Sequence, residues 1–386
     1  MDEKTRLIHA GRDVQPRART VGPAIQRGST VLLPNSRALY EEDLGYGRAG
    51  LAAQEALCLG LAELERASDV FLYPSGLAAL SGALTAVLKA GDAILVTEGA
   101  YKPTRVFCQR VLTRFGVRVE IYDARLSPDE LMALVKDDTR MILLESPSSL
   151  TFEMQDVPAI AAAARTRGVL TLMDNTWAAG LYFKPLAHGV DISVQALTKY
   201  VCGHSDIFMG SAATNDRKLA AQLEAGIHDF GWAVTGDAAY DMLRGLRTLP
   251  TRLARHDETA RAVAGWLTAQ PQVKQVLHPA LPGAPGHAIW DRDYSGASGL
   301  FGFVLNPCPL DAEHAFLDAL KIFGLGFSWG GFESLAIRCD PQLKSRTFVT
   351  GLEGPLFRLH IGLEQASDLI ADLVAGFAAL DAVNPR

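Results

Sequence analysis

The chain has 386 residues, 48% hydrophobic and 21% charged, the balance of an ordinary globular protein with room for two domains and a large core. Its formal net charge of −6, without a Lys/Arg run, argues against nucleic acid or an anionic membrane as partner. No apolar stretch reaches the ~18 residues of a spanning helix, and the Met-Asp-Glu-Lys-Thr-Arg start has no signal-peptide core.

Residues 1–50 read as an extended arm, with Pro16, Pro23 and Pro34, several arginines and little amphipathic periodicity. Such an arm packs on something else, often a neighbouring subunit. Gln54 to Ala67 reads as a helix with an apolar face. Tyr73-Pro-Ser75-Gly76 then opens a helical pattern that runs to Leu88. Short apolar strands are expected at Ala93–Thr97, Val117–Tyr122, Met141–Leu144, Val169–Met173 and Ile192–Leu197. Helical stretches fall between them at Pro103–Phe115, Pro128–Val135 and Val157–Arg167. Ile207–Ala213 follows Lys199 too closely for a helical crossover, so it is expected to pair antiparallel. The alternation predicts an α/β domain over 51–247 with a mostly parallel central sheet.

Beyond about Arg247 the pattern changes. A helix from Arg252 to Ala269, a Pro/Gly-rich loop (His278–Gly286), strands at Leu300–Leu305 and Leu356–Ile361, and helices at Ala312–Phe323 and Gln365–Leu380 predict a smaller α+β domain over 248–386. The five cysteines (Cys58, Cys108, Cys202, Cys308, Cys339) are scattered and form no CxxC. A disulfide framework is not expected, and a reducing cytoplasm fits. Cys202 and His204 lie close together, but no further spaced ligands accompany them, so no metal site is expected.

Three features carry chemistry. Lys199 ends an apolar run, Ile192 to Thr198. A lysine there either snorkels to water or, if buried, loses its charge and becomes a nucleophilic amine. Asp174 lies 25 residues upstream and also ends an apolar run. If the two runs are parallel neighbours, both residues face the crevice at the carboxyl ends of the strands. An amine and a carboxylate so placed suit pyridoxal 5′-phosphate (PLP), which needs a lysine at its aldehyde and an acid at its ring nitrogen. Taken alone, Asp174 also reads as a strand-end cap. Ser75-Gly76 reads either as a plain N-cap or as a helix terminus offering N–H groups to a phosphate.

The motifs Tyr46-Gly-Arg48, Tyr73-Pro-Ser-Gly76, Leu144-Glu-Ser-Pro147, Met173-Asp-Asn-Thr-Trp-Ala-Ala-Gly180, Gln195-Ala-Leu-Thr-Lys-Tyr200, Gly203-His-Ser-Asp206, Arg244-Gly-Leu-Arg-Thr248 and Ser328-Trp-Gly-Gly-Phe-Glu-Ser334 occur in order. On these motifs nearly the whole chain resembles the Cys/Met-metabolism family of fold-type I PLP enzymes. The resemblance implies a fold-type I transferase-like architecture. It makes Lys199 the residue that carries the cofactor and Asp174 the partner of the pyridine nitrogen. It makes Tyr101 the ring-stacking tyrosine, with a possible share in acid–base work. Ser75, the backbone amides of Gly76 and Leu77, and the Thr198 hydroxyl become the phosphate site, with Tyr46 and Arg48 reaching a neighbouring subunit's phosphate. Arg358 becomes the clamp for the substrate α-carboxylate. Two departures stand out: Ala196 replaces a common serine, and only Tyr46 and Arg48 carry over from their segment.

Within the resemblance, Ser328-Trp329, Ser149 and Tyr101-Lys102-Pro103 differ from the patterns of γ-cleaving relatives. They imply α,β-elimination from a small sulfur amino acid, with Ser328, Trp329, Ser149 and Tyr46 near its side chain. A related carbon–sulfur lyase is the alternative. A nucleotide-binding oxidoreductase is disfavoured because no GxGxxG follows a first strand. The resemblance also implies a homo-oligomer, a dimer of dimers.

Overall fold

Aliphatic and β-branched runs punctuated by Gly, Asp and Thr form the strands of two sheets. A computed structural model describes residues 2–11, 20–41, 45–348 and 351–385; Pro16 of the expected arm lies outside them. The first sheet contains β1 (Asp69–Tyr73), β2 (Ala93–Thr97), β3 (Arg118–Tyr122), β4 (Thr139–Glu145), β5 (Leu170–Asp174), β6 (Ile192–Gln195) and β7 (Gly210–Thr214). Its order is β1-β7-β6-β5-β4-β2-β3. The pairs from β6 through β5, β4 and β2 to β3 are parallel. β7 alone runs against its neighbours, β6 and β1, which is the antiparallel pairing expected for it, although it starts at Gly210 rather than Ile207.

The strands alternate their apolar residues between two buried layers. Leu95, Ile142 and Leu144 pack into one cluster, and Ile94, Val96, Met141 and Leu143 into the other. Helices cover both faces, as a parallel sheet requires.

The second sheet contains β8 (Val273–Leu277), β9 (Leu300–Leu305), β10 (Gly324–Leu325), β11 (Leu335–Arg338) and β12 (Leu356–His360). Its order is β10-β11-β12-β9-β8. Only the short β10–β11 pair is parallel. Phe301, Phe303, Phe316, Phe357 and Phe377 fill the core beneath it.

One helix, Gly236–Thr268, joins the two parts and starts well before the expected Arg252. The boundary read at Arg247 falls inside it. Met242, Leu243, Leu246, Leu249 and Leu253 bury a continuous apolar stripe in one cluster. At about 1.5–3 kcal/mol per buried side chain, that burial outweighs the roughly 3 kcal/mol cost of the internal Pro250.

Candidate active site

The first sheet changes direction between the neighbouring strands β2 and β4, since β2 leads to β3 on one side and β4 to β5 on the other, the kind of switch point beside which open α/β sheets form a crevice. The carboxyl ends of β1, β2, β4, β5 and β6 deliver Ser75–Leu77, Tyr101, Glu145, Asp174 and the Ala196–Lys199 turn to one cavity of about 450 Å³. Arg358 on β12 and Trp329 in the segment between β10 and β11 close it from the other side. Of the residues expected at the site, Ser75, Gly76, Leu77, Tyr101, Ser149, Asp174, Thr198, Lys199, Trp329 and Arg358 all line it.

Lys199 does not close a strand. β6 ends at Gln195, and Ala196–Tyr200 is a turn in which Lys199 N–H donates to the Ala196 carbonyl at 3.1 Å. Arg252 braces that turn by donating to the carbonyls of Tyr200 at 2.7 Å and Val201 at 3.2 Å. Lys199 Nζ donates to Ser328 Oγ at 2.9 Å and lies 5.3 Å from the Trp329 ring centroid. Burial first, then Arg358, lower its pKa to about 8, against the opposing pull of Asp174. Gly330 makes the close approach possible: a Cβ there would lie 2.8 Å from Lys199 Cα, and its φ of +86° suits glycine.

Asp174 is buried at the end of β5. Its Oδ1 accepts from Thr176 N–H at 3.0 Å and from the Thr176 hydroxyl at 2.5 Å. The same hydroxyl accepts from Ala196 N–H at 2.9 Å, so Thr176 ties the ends of β5 and β6 together. Burial raises the Asp174 pKa, with the Thr176 bonds and Lys199 working against it. Among the described residues Oδ2 has no hydrogen-bond partner, which leaves it available to a protonated ring nitrogen.

The helix Gly76–Val87 points its N-terminus at the cavity. Ser75 Oγ caps Ala78 N–H at 3.1 Å. The N–H groups of Gly76 and Leu77 have no acceptor among the described residues, which is the arrangement an anion uses. A Cβ on Gly76 would sit 2.3 Å from Ala196 Cβ. The Thr198 hydroxyl, expected at the phosphate, is engaged beside β7 in this structure. It donates to the Met209 carbonyl at 3.2 Å and accepts from Met209 N–H at 3.0 Å, tying the turn to the start of β7.

Arg358, on β12, is 6% exposed. Its Nη2 donates to the carbonyls of Phe327 at 2.9 Å and Ser328 at 3.0 Å, while Nε has no partner. No carboxylate pairs with it among the described residues. A buried guanidinium with an unused edge is suited to a carboxylate fork.

Tyr101 is half-exposed at the mouth. Its N–H donates to Glu145 Oε2 at 2.7 Å. Burial, then Glu145 and Asp174, raise the Tyr101 pKa. Burial and Asp174 likewise push the Glu145 carboxyl well above the usual range. Ser149 N–H donates to the Gly99 carbonyl at 2.7 Å, which carries its backbone into the wall.

Tyr46 and Arg48 are not in this cavity. Tyr46 is half-exposed and makes a single bridge with Thr30, and the Arg48 guanidinium lies 5.5 Å from its ring centroid. Sequence reasoning gave no role to Thr176, Arg252 or Glu145. Thr176 and Glu145 sit in motifs it singled out, but their partners are set by the fold.

The unused amides, the lysine of lowered pKa, the buried acid and the open arginine edge together fit PLP bearing an amino-acid substrate. The chain matches the model for Cys/Met metabolism PLP-dependent enzymes over residues 4–378. It is 41% identical to the cystathionine beta-lyase MetC of Escherichia coli, over 97% of this chain and 98% of that protein. It is also 41% identical to the cystathionine beta-lyase of Salmonella typhimurium, with the same 97% and 98% coverage. The crystal structure of cystathionine gamma synthase from Xanthomonas oryzae pv. oryzae in complex with cystathionine superposes with a TM-score of 0.93 at 31% identity, covering 99% of each chain.

Proposed function

The chain belongs to the PLP-dependent enzymes of Cys/Met metabolism, and from that premise we propose that it is a cystathionine β-lyase. The reaction splits L-cystathionine and one water into homocysteine, pyruvate and ammonia. The observation that carries this reading is the convergence of Lys199, Asp174 and Arg358 on one cavity, with the Lys199 pKa lowered and the Arg358 Nε unpartnered. Identity of 41% to β-lyases, against 31% to the γ-synthase, supports the β position over the γ position.

The cofactor, when bound, supplies an electron sink for the pair left at the substrate Cα. Gly76 and Leu77 amides, with Ser75 and Thr198, hold its phosphate end, and Thr198 must turn from the Met209 carbonyl to do so. Asp174 holds the ring nitrogen in its protonated form, and Tyr101 stacks on the ring. Arg358 grips the substrate α-carboxylate and fixes Cα. Lys199 Nζ, oriented by Ser328, removes the Cα proton and then delivers a proton to the departing sulfur as the Cβ–S bond breaks. Trp329 and Ser149 confine the side chain. The three-carbon fragment takes up water and leaves as pyruvate and ammonia.

The position of Tyr46 and Arg48 outside their own cavity supports their reaching an adjoining subunit's phosphate. This reading makes the enzyme a cytoplasmic homotetramer of two dimers.

Two measurements test the proposal. The purified chain with PLP should show a visible near-violet band, and Lys199→Ala should lose both that band and turnover. Cystathionine should yield pyruvate and homocysteine; 2-oxobutyrate and cysteine instead would refute β-cleavage.

A further inference from the structure

Arg105 lies in the helix Lys102–Arg110, lines the cavity and is 7% exposed. A cation buried that deeply ordinarily meets an anion. Here its partners are neutral. Nε donates to the Ala100 carbonyl at 3.1 Å, while Nη1 and Nη2 make only 3.4 Å contacts to the Ser345 carbonyl and hydroxyl. Those two distances lie beyond the usual 2.7–3.2 Å for N–H···O. Burial, then the neighbouring Arg346, lower the pKa of Arg105.

One further buried donor without an acceptor, on Gln342, lies at the same corner. The Ser345 hydroxyl that meets Arg105 donates to the Gln342 carbonyl at 2.9 Å. Gln342 lines the cavity too, and its buried Nε2 has no partner. Arg346, next in the chain, contributes a second guanidinium to the lining. Its own needs are met by the Thr151 hydroxyl at 2.7 Å, the Ser149 carbonyl at 2.5 Å and Glu153 at 3.7 Å. Around the whole cavity Lys102, Arg105, Lys199, Arg346 and Arg358 face only Glu145 and Asp174. Glu153 offsets Arg346, and Glu98 and Glu145 act on Arg105 from farther off, but among the described residues no anion hydrogen-bonds Arg105 or the Gln342 amide.

We propose that Arg105 and Gln342, backed by the positive field of Arg346, form a subsite for a second carboxylate at the far end of the substrate. The enzyme then selects thioethers that carry an acid on both arms. This deepens the lyase reading above and rests on it. The selecting group acts on binding, because the distal carboxylate is remote from the bond that breaks and keeps its charge throughout the reaction.

The test compares L-cystathionine with S-(3-aminopropyl)-L-cysteine, which has the same chain but no distal carboxylate. The wild-type enzyme should prefer cystathionine in kcat/KM by at least about tenfold, chiefly through KM. Arg105→Gln should bring that ratio close to one, and Arg105→Lys should keep part of it. A second arm uses the Lys199→Ala full-length protein with PLP, where calorimetry reads binding without turnover. Cystathionine should bind about tenfold more tightly than the aminopropyl compound, and adding Arg105→Gln should abolish the difference. Equal affinity for the two compounds, or an undiminished preference in Arg105→Gln, would overturn the subsite and leave Arg105 as a brace for the Ser345 backbone. The binding arm does not depend on which bond is cleaved. Finding 2-oxobutyrate as product would therefore remove the β-lyase assignment and still leave the subsite judged on its own result.

Discussion

The ε-amine of Lys199 attacks an aldehyde only when neutral, and its pKa near 8 places that change within reach of experiment. The fraction of neutral amine in the apoprotein grows as pH rises toward this value and saturates above it. Capture of added PLP, followed by stopped-flow absorbance, should speed up about tenfold per pH unit below 8 and level off beyond. Arg358→Leu removes one of the two causes that lower the pKa and should move the midpoint upward. A profile still climbing at pH 10 in the unaltered protein would contradict the burial argument. Asp174 pulls the other way, so Asp174→Asn should shift the midpoint downward. It should also cost about 10²-fold or more in kcat, the order found when a preorganised charge partner is removed. These three residues influence one another through the cavity, a coupling no single position in the sequence announces.

The helix Gly76–Val87 is held to the sheet by the absence of side chains. The Cβ position of Gly76 falls on Ala196, and a Cβ on Gly210 would lie 2.4 Å from the Ser75 carbonyl oxygen. Gly76→Ala should therefore push the N-terminal amides away from their place. PLP affinity should fall by tenfold or more, and stability by about 1–3 kcal/mol, read by equilibrium dialysis and chemical denaturation. Pairing it with Ala196→Gly should recover only part of the loss, since the Ala196 Cα itself lies 2.8 Å from the added carbon. Unchanged cofactor affinity in Gly76→Ala would detach this helix from the phosphate role. The Ser-Gly signal opening this helix was legible because capping is local. β2 was legible residue for residue, as an uninterrupted aliphatic run. β1, Asp69–Tyr73, was not read, because it opens on Asp69 and is half-buried up to Tyr73, so it lacks the uninterrupted aliphatic run of β2. The first half of the Gly236–Thr268 helix was hidden by its glycines and Pro250, which only tertiary burial overrides. Arg105 and Arg252 were missed for a related reason: their partners lie 240 and about 50 residues away in sequence.

Three histidines buried in their neutral form make the fold acid-sensitive. His256, on the long helix, and His360, on β12, lie 5.4 Å apart between ring centroids and both contact Tyr200 behind Lys199. Burial lowers the His256 pKa to about 4, helped by Arg252, and the His278 pKa to about 3, helped by Arg261. Burial, then His256, Arg358 and Lys199, keep His360 well below its ordinary value. In the unfolded chain these rings titrate near 6.5. Between roughly pH 6.5 and 4 the unfolded state binds more protons than the folded one, so stability falls as pH falls through that window. Melting temperature should be nearly flat between pH 7 and 8 and drop increasingly steeply below 6.5. His278→Phe should flatten the acid limb while lowering stability at pH 7, because Ala280 N–H loses its acceptor at His278 Nδ1, 3.2 Å away. His360 adds a functional consequence: its Nε2 accepts from Gly330 N–H at 3.0 Å. A protonated Nε2 has no lone pair for Gly330 N–H and donates instead to the Gly331 carbonyl, also 3.0 Å away, so the contact that anchors the loop carrying Ser328 and Trp329 to β12 is exchanged and Gly330 N–H loses its acceptor. Lys199 and Arg358 both depend on that loop, through Ser328 Oγ and the Phe327 and Ser328 carbonyls. Acid should then abolish cofactor absorbance and tertiary structure in one transition. Two separated transitions, with the near-ultraviolet signal intact after the cofactor band is lost, would show that the histidine layer and the cofactor site are not coupled.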